Sequence, residues 1–211
     1  MDAFKEKLRD ALKGPLPGHE AHREMINYPR PLKNISEADF PNARRGGVLV
    51  LIYPKKGKPH LVLTLRHAYK GVHSAQVSFP GGGREEGDPD LYHTALREAS
   101  EEVCARPDRI EHIGALSKVY IPPSNFLVSP FVGFCPDTPE FRPEEREVAR
   151  IIETPLSRLS DPDVIQETVM YLKLTESEMK VKYFDIEGET VWGATGMMLN
   201  ELAYILRRIP A

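Results

Sequence analysis

The run Phe79-Pro80-Gly81-Gly82-Gly83, followed by Ala95-Leu96-Arg97-Glu98-Ala99-Ser100-Glu101-Glu102-Val103, constrains this chain more than any other segment. Consecutive glycines remove every side chain from a stretch of backbone, which suits a tight turn or the close approach of another group. On a 3.6-residue helix Glu98, Glu101 and Glu102 fall at i, i+3 and i+4, so three negative charges share one face. Tyr92, Ala95, Leu96, Ala99 and Val103 form a separate apolar stripe with which the helix can lie on a core. Like charges at that spacing repel and weaken a helix unless something compensates them. A solvated acidic face is one reading. A hard divalent cation is the other, because Mg²⁺ takes carboxylate oxygens together with substrate phosphates.

The flanking residues favour the second reading. Asp88-Pro89 reads as an N-cap with proline in the first helical position, which would start the helix there. Gly81 and Gly82 leave room for a phosphate or metal to reach the backbone. Arg97 stands four residues before Glu101 and can brace that carboxylate.

A glycine, an acidic spacer, then Arg-Glu-apolar-x-Glu-Glu resembles the signature of the Nudix hydrolases, with Gly82, Asp88, Arg97, Glu98, Ala99, Glu101, Glu102 and Ala105 in its positions. Three departures stand out: aspartate rather than glutamate at Asp88, a spacer one residue longer than usual, and Cys104 where the family has glycine. None removes a carboxylate. The cysteine requires the helix to exit by other means. The resemblance implies an α/β fold, an α/β/α sandwich with a mixed β-sheet flanked by helices. It implies a diphosphatase using Mg²⁺ or Mn²⁺, with Glu98, Glu101 and Glu102 as ligands and Glu98, Glu101 and Arg97 as catalytic groups. A further acid from a later loop often joins such sites, and Glu144, Glu145 and Glu147 are the ones to inspect.

Upstream, Leu63-Thr64-Leu65-Arg66 and His73-Ser74-Ala75-Gln76-Val77-Ser78-Phe79-Pro80-Gly81-Gly82 are similar to the extension that marks the coenzyme A diphosphatase branch of that family. The branch also shows the longer spacer and the aspartate; Trp192-Gly193-Ala194-Thr195 looks like it too. His67, Gly71 and Ala75 depart from the branch pattern. The resemblance implies cleavage of coenzyme A or its thioesters to 4′-phosphopantetheine, or its acyl form, and adenosine 3′,5′-bisphosphate. The 3′-phosphate needs a cation; Arg66, His67, Lys70 and His73 lie in the marking segment, with Arg66 first and Gly81 and Gly82 nearby. Tyr69 could stack on adenine. The alternatives are a Nudix enzyme for another nucleoside diphosphate, such as ADP-ribose or a dinucleotide, and a ligand-binding module without catalysis.

At 211 residues the chain suits one domain with a sizeable core. Its net charge of −3 offers no basic footprint for nucleic acid. No apolar run approaches membrane-spanning length and the first residues lack a signal peptide's apolar region, so the expected location is the cytoplasm. Cys104 and Cys135 are the two cysteines and read as reduced packing thiols, not a disulfide framework. Residues 1–41 read as a helix with Phe4, Leu8 and Leu12 on one face, then an extended arm packing on the domain; residues 42–211 form the domain itself. Strands are expected at 47–53, 60–65, 76–79, 110–120 and 126–135, a hairpin at 167–173 and 180–185, and a last helix N-capped by Thr195. The expected partner is a small coenzyme A-like nucleoside diphosphate. The sequence leaves the oligomeric state open, a homodimer included.

Overall fold

The strand β1 (Arg44–Lys55) is apolar on both faces, which identifies it as the centre of a sheet covered on both sides. Leu49, Leu51 and Tyr53 point to one face and Val50 and Ile52 to the other, all of them buried. The structure is a computed structural model that describes residues 1–26, 35–67, 76–172 and 176–209. Around β1 the described residues build an eight-stranded mixed sheet. β2 is Lys58–Arg66, β3 Val77–Ser78, β4 Gly81–Gly83, β5 Glu111–Ala115, β6 Val119–Ile121, β7 Phe126–Phe134 and β8 Val148–Pro155. A second, three-stranded sheet has the order β11-β10-β9, from Glu189–Val191, Ser177–Ile186 and Ile165–Leu172.

The path of β1 and β2 prepares the site. They leave the turn at Lys56-Gly57, both with positive φ as a two-residue hairpin turn demands, and pair from Lys55↔Lys58 to Ile52↔Leu61. They then part. β2 takes β3 as its partner at Thr64↔Ser78, while β1 takes β4 at Gly46↔Gly83 through Val48↔Gly81. Phe79-Pro80 crosses between them, and the Pro80 carbonyl accepts the Leu49 amide at 2.8 Å. The glycine run is thus a short strand wedged into a parted hairpin.

Helix α3 (Leu91–Val103) lays Ala95, Ala99 and Val103 on Leu49, Leu51 and Tyr53. The opposite face is covered by α1 (Asp2–Lys13) with Leu8 and Leu12, and by α4 (Gly193–Arg207) with Met198, Leu199, Leu202 and Ile205. Burying each such large aliphatic side chain contributes about 1.5–3 kcal/mol. The six-residue α2 (His19–Glu24) is fastened to α4 by the fully buried Glu201 carboxylate, which lies 2.9 Å from His22 Nε2 and accepts the Gly18 amide, the Ser117 amide and the Ser117 hydroxyl. No described helix is long and apolar enough to cross a membrane.

Two sequence expectations about helix starts are corrected. The N-cap of α3 is Asp90, whose Oδ1 accepts the His93 amide at 2.9 Å, and not Asp88, whose carboxylate is consumed elsewhere. Helix α4 starts at Gly193, and Thr195 lies inside its first turn, where the hydroxyl donates to the Val77 carbonyl at 3.0 Å. The exit of α3 is made without glycine. Cys104 itself adopts the left-handed conformation, φ 56°, with its amide and that of Ala105 closing back on the Ser100 and Ala99 carbonyls.

Close packing of α3 on β1 depends on Gly47, because a Cβ there would lie 2.1 Å from the Leu91 carbonyl oxygen, which is backbone and cannot rotate away. Gly47→Ala should cost about 1–3 kcal/mol, the range for overpacking a core. Thermal denaturation checks this; an unchanged midpoint would mean that the helix start rides freely on the sheet.

Candidate active site

The wedge places Gly81–Gly83 alongside α3, and the contact is close. A Cβ on Gly82 would stand 2.3 Å from Glu98 Oε1, so only glycine lets the carboxylate lie against the strand. One residue earlier, the Gly81 amide donates to Glu102 Oε2 at 3.2 Å. The other oxygen, Glu102 Oε1, accepts Arg66 Nη1 at 3.1 Å from the end of β2. Arg66 Nη2 donates in turn to Glu147 Oε2 at 3.2 Å. One guanidinium therefore joins three segments: the end of β2, the acidic helix and the turn before β8.

That turn is fixed against α3 by backbone. The Arg142 and Glu144 amides donate to the Val103 and Glu102 carbonyls, at 3.1 and 2.9 Å, satisfying carbonyls at the helix end. The Glu144 carboxylate accepts the Arg146 and Glu147 amides and so stabilises its own turn. The Glu145 carbonyl oxygen lies 3.0 Å from His67 Nε2. Of the three acids singled out in the sequence, Glu147 is the one whose carboxylate reaches the Arg66–Glu102 pair.

Arg97 is the second hub. Its Nε and Nη2 donate to Asp88 Oδ1 and Oδ2 at 3.1 and 3.2 Å, Nη2 also donates to the Gly83 carbonyl at 3.1 Å, and Nη1 donates to Glu101 Oε2 at 3.0 Å. Glu98 Oε1 lies 3.1 Å from Nη2. The expected brace to Glu101 is present, and the larger part of the arrangement joins Arg97 to residues that no local spacing rule pairs with it. Asp88 is buried and also accepts the Thr94 hydroxyl and the Glu85 amide. Its spacing of nine residues from Arg97 is too long for a helical pairing rule to detect.

The charges are unevenly compensated. The Arg97 guanidinium holds the Asp88 carboxyl well below the usual carboxylate range, against the opposing effect of burial. Burial pushes Glu98 up, an effect that Arg97 opposes and the charges of Glu101 and Glu147 reinforce. Glu102 is pushed up to about 7, by burial first, with Arg66 and the Gly81 amide pulling it down and Glu98 and Glu147 adding to the rise. Two carboxyls beside a glycine strand, Glu102 buried and Glu98 half-buried, are thus disfavoured in their charged form by desolvation, and this donor set fits a hard divalent cation in kind. As the side chains stand, no three acidic, histidine or cysteine groups among the described residues converge on one point to hold a metal, since guanidinium groups lie on Glu98, Glu101 and Glu102.

Tyr69, Lys70, Gly71, His73 and Ala75, singled out as parts or neighbours of a substrate segment, lie outside the described residues. Gly81 and Gly82 face Glu102 and Glu98 as described.

Residues 43–171, which span this frame and the carboxylate-lined glycine strand, match the family model described as the NUDIX domain. The chain belongs to the Nudix family and is a Nudix hydrolase. It is 35% identical over 162 residues to a protein of Citrobacter koseri described as uncharacterized Nudix hydrolase NudL, spanning 77% of this chain and 82% of the relative. A protein of the same description from Photorhabdus laumondii is 32% identical over 184 residues, 86% of this chain and 93% of the relative. Among solved structures, the M. smegmatis Nudix hydrolase RenU superposes with a TM-score of 0.54 at 14% identity, covering 80% of this chain and 89% of that one. A MutT/nudix family protein from Enterococcus faecalis does so with a TM-score of 0.52 at 10% identity, covering 97% and 74%. These likenesses show a common fold. Enzymes of the family generally use divalent metals and act on small nucleoside diphosphates.

Removing the Arg97 guanidinium would strand the buried Asp88 carboxylate and release Gly83, Glu98 and Glu101 together. Arg97→Ala should destabilise the protein by about 2 kcal/mol, below the full penalty for a buried pair because the arginine is partly exposed. The melting midpoint should fall by roughly 4–8 °C for a chain of this size. Arg97→Lys should recover little, since an ammonium cannot serve this set of acceptors as a planar fork does. A midpoint unchanged in both variants would contradict the structural role of the hub.

Proposed function

We propose that this chain hydrolyses the diphosphate of coenzyme A or its thioesters, with Mg²⁺ or Mn²⁺, to 4′-phosphopantetheine or its acyl form and adenosine 3′,5′-bisphosphate. The observation that carries this reading is the bond from Arg66 to Glu102. The upstream segment that resembles the coenzyme A branch ends on the same carboxylate that the glycine strand holds from the other side. In this reading, segment and metal chemistry belong to one site.

Glu98 and Glu102 are the principal metal ligands in this reading, and Glu101 is a further ligand or orients the attacking water. When bound, the cation neutralises the diphosphate oxygens and lowers the pKa of the water that attacks them. The protein's own groups do the rest. Gly81 and Gly82 keep the approach to the carboxylates free of side chains, and Arg97 fixes the positions of Glu98 and Glu101. Arg66 couples Glu102 to Glu147, which we infer to be the additional acid from the later turn, placed to accept a proton from the water. Arg66, with both Nη atoms engaged by carboxylates, is a positioning group before it is a substrate contact.

Glu102→Gln removes a ligand charge and keeps the side-chain volume, so it should leave the fold intact and lower turnover by at least roughly 10²-fold. Chromatography of the products from coenzyme A, with ADP-ribose as the competing substrate, reads both the loss and the identity of the substrate; near-normal turnover in the variant would overturn the metal assignment. A pH dependence follows from the raised Glu102 carboxyl. A cation requires the deprotonated form, so Mg²⁺ affinity should be fully expressed above about pH 7 and weaken by up to about tenfold per pH unit below it. Titration calorimetry at several pH values checks the sign, and an affinity that is flat from pH 5 to 8 would contradict it.

A further inference from the structure

Around the glycine strand the arginines differ in one respect. Arg45 pairs with Glu37, Arg66 with Glu102 and Glu147, Arg84 donates to the Asp88 and Pro89 carbonyls, and Arg97 holds Asp88, Gly83, Glu98 and Glu101 and lies near Glu85. Arg44 is exposed, and its guanidinium makes no hydrogen bond or ion pair to any described residue. Its position is nevertheless defined. The guanidinium carbon lies 5.3 Å from the centroid of the Phe126 ring, a cation–π stack. That ring lies on a floor of bare backbone: a Cβ on Gly46 would come 2.4 Å from it, and a Cβ on Gly83 would be 4.0 Å from the ring and 3.7 Å from Arg44 Nη2. Arg44 and Phe126 are the first residues of β1 and β7 and face each other across the parallel pairing, while Gly83 ends β4.

The stack therefore stands at the margin of the sheet, one residue along the strand from Gly82, against which Glu98 lies. Successive residues of a strand face opposite sides, so Gly82 presents the carboxylates on one face and Gly83 presents Arg44 on the other. For a ligand with its diphosphate over Gly82 to meet Arg44, a further anionic group has to pass round the sheet margin.

We propose that Arg44, backed by Phe126, forms a subsite for a phosphomonoester on the nucleoside half of the substrate. This rests on the coenzyme A reading above and deepens it, because there the phosphomonoester is the 3′-phosphate of the adenosine. It also reassigns the task that the sequence suggested for Arg66, whose donors are spent on Glu102 and Glu147. Arg44 is held only by a ring face, so its N–H groups remain free for phosphate oxygens.

The test uses the full chain with Mg²⁺ and two ligands that contain no diphosphate to cleave, adenosine 3′,5′-bisphosphate and adenosine 5′-monophosphate, by titration calorimetry. The wild type should bind the bisphosphate about tenfold more tightly, the lower end for a charge-assisted contact at an exposed site. Arg44→Ala should bring the two affinities together by weakening the bisphosphate alone, with an unchanged melting midpoint, and Phe126→Leu should lose part of the preference. Arg146→Ala, an exposed arginine on the turn beside Glu147, should keep the preference. Equal binding of the two ligands by the wild type, an equal loss for both in Arg44→Ala, or loss of the preference in Arg146→Ala instead would each overturn the subsite. Hydrolysis of coenzyme A by the same wild-type sample separates the two readings. If coenzyme A is not cleaved while another nucleoside diphosphate is, the substrate assignment fails, and the binding comparison still decides the role of Arg44.

Discussion

A single guanidinium, that of Arg97, ties together the turn, the glycine strand and the acidic helix. It reaches back to Asp88 in the turn, sideways to the carbonyl of Gly83 on the wedge strand, and along its own helix to Glu98 and Glu101. Its donors are spread over a planar fork, and each acceptor takes a different direction. The alignment of α3 against β4 therefore does not rest on hydrophobic contact alone, which is non-directional and would tolerate sliding. Carboxylates that must meet a ligand are held by hydrogen bonds, and the apolar stripe beneath them supplies the adhesion.

The sheet makes room for this arrangement by an unusual division of labour within one strand. The later part of β1 belongs to a hairpin with β2 and the earlier part to a pairing with the glycine strand. β7 runs parallel beside β1 from Arg44 to Ile52, along the whole of the glycine-strand pairing and up to the first pair of the hairpin. Leu49, Leu51 and Tyr53 anchor the acidic helix, and Val50 and Ile52 anchor α1 and α4. The glycine strand needs no side chains of its own, since its backbone is paired on β1 and its surface is given to Glu98 and Phe126.

Much of the fold was legible because periodicity reports burial directly. The bilateral apolar run of β1, the acidic and apolar stripes of α3 and the terminal helix all appear where the pattern puts them. Helix starts were less legible. Asp88 and Asp90 both have the chemistry of an N-cap, and only the three-dimensional pairing of Asp88 with Arg97 shows which was free for it. The same limit applies to the candidate site. Local spacing brought out Glu98, Glu101, Glu102 and Arg97. The bonds of Arg66 to Glu102 and Glu147, like the stack of Arg44 on Phe126, join residues far apart in the chain, for which no local period exists. Glu147 could be separated from Glu144 only once Glu144 was seen to hold its own turn.

The turn between Gly83 and Asp90 is anchored at both ends, by Gly83 through Arg97 and by the Asp90 cap, with Asp88 fastened to the same guanidinium. Glu85, Glu86 and Gly87 between these anchors are exposed. Glu85 is bonded to Asp88 through both its amide and its carbonyl, so slack is left to Glu86-Gly87, which face solvent. A residue added or removed at Glu86-Gly87 therefore changes the length of the connection on its solvent side, while the seat of the helix stays with Asp88, Asp90 and Arg97.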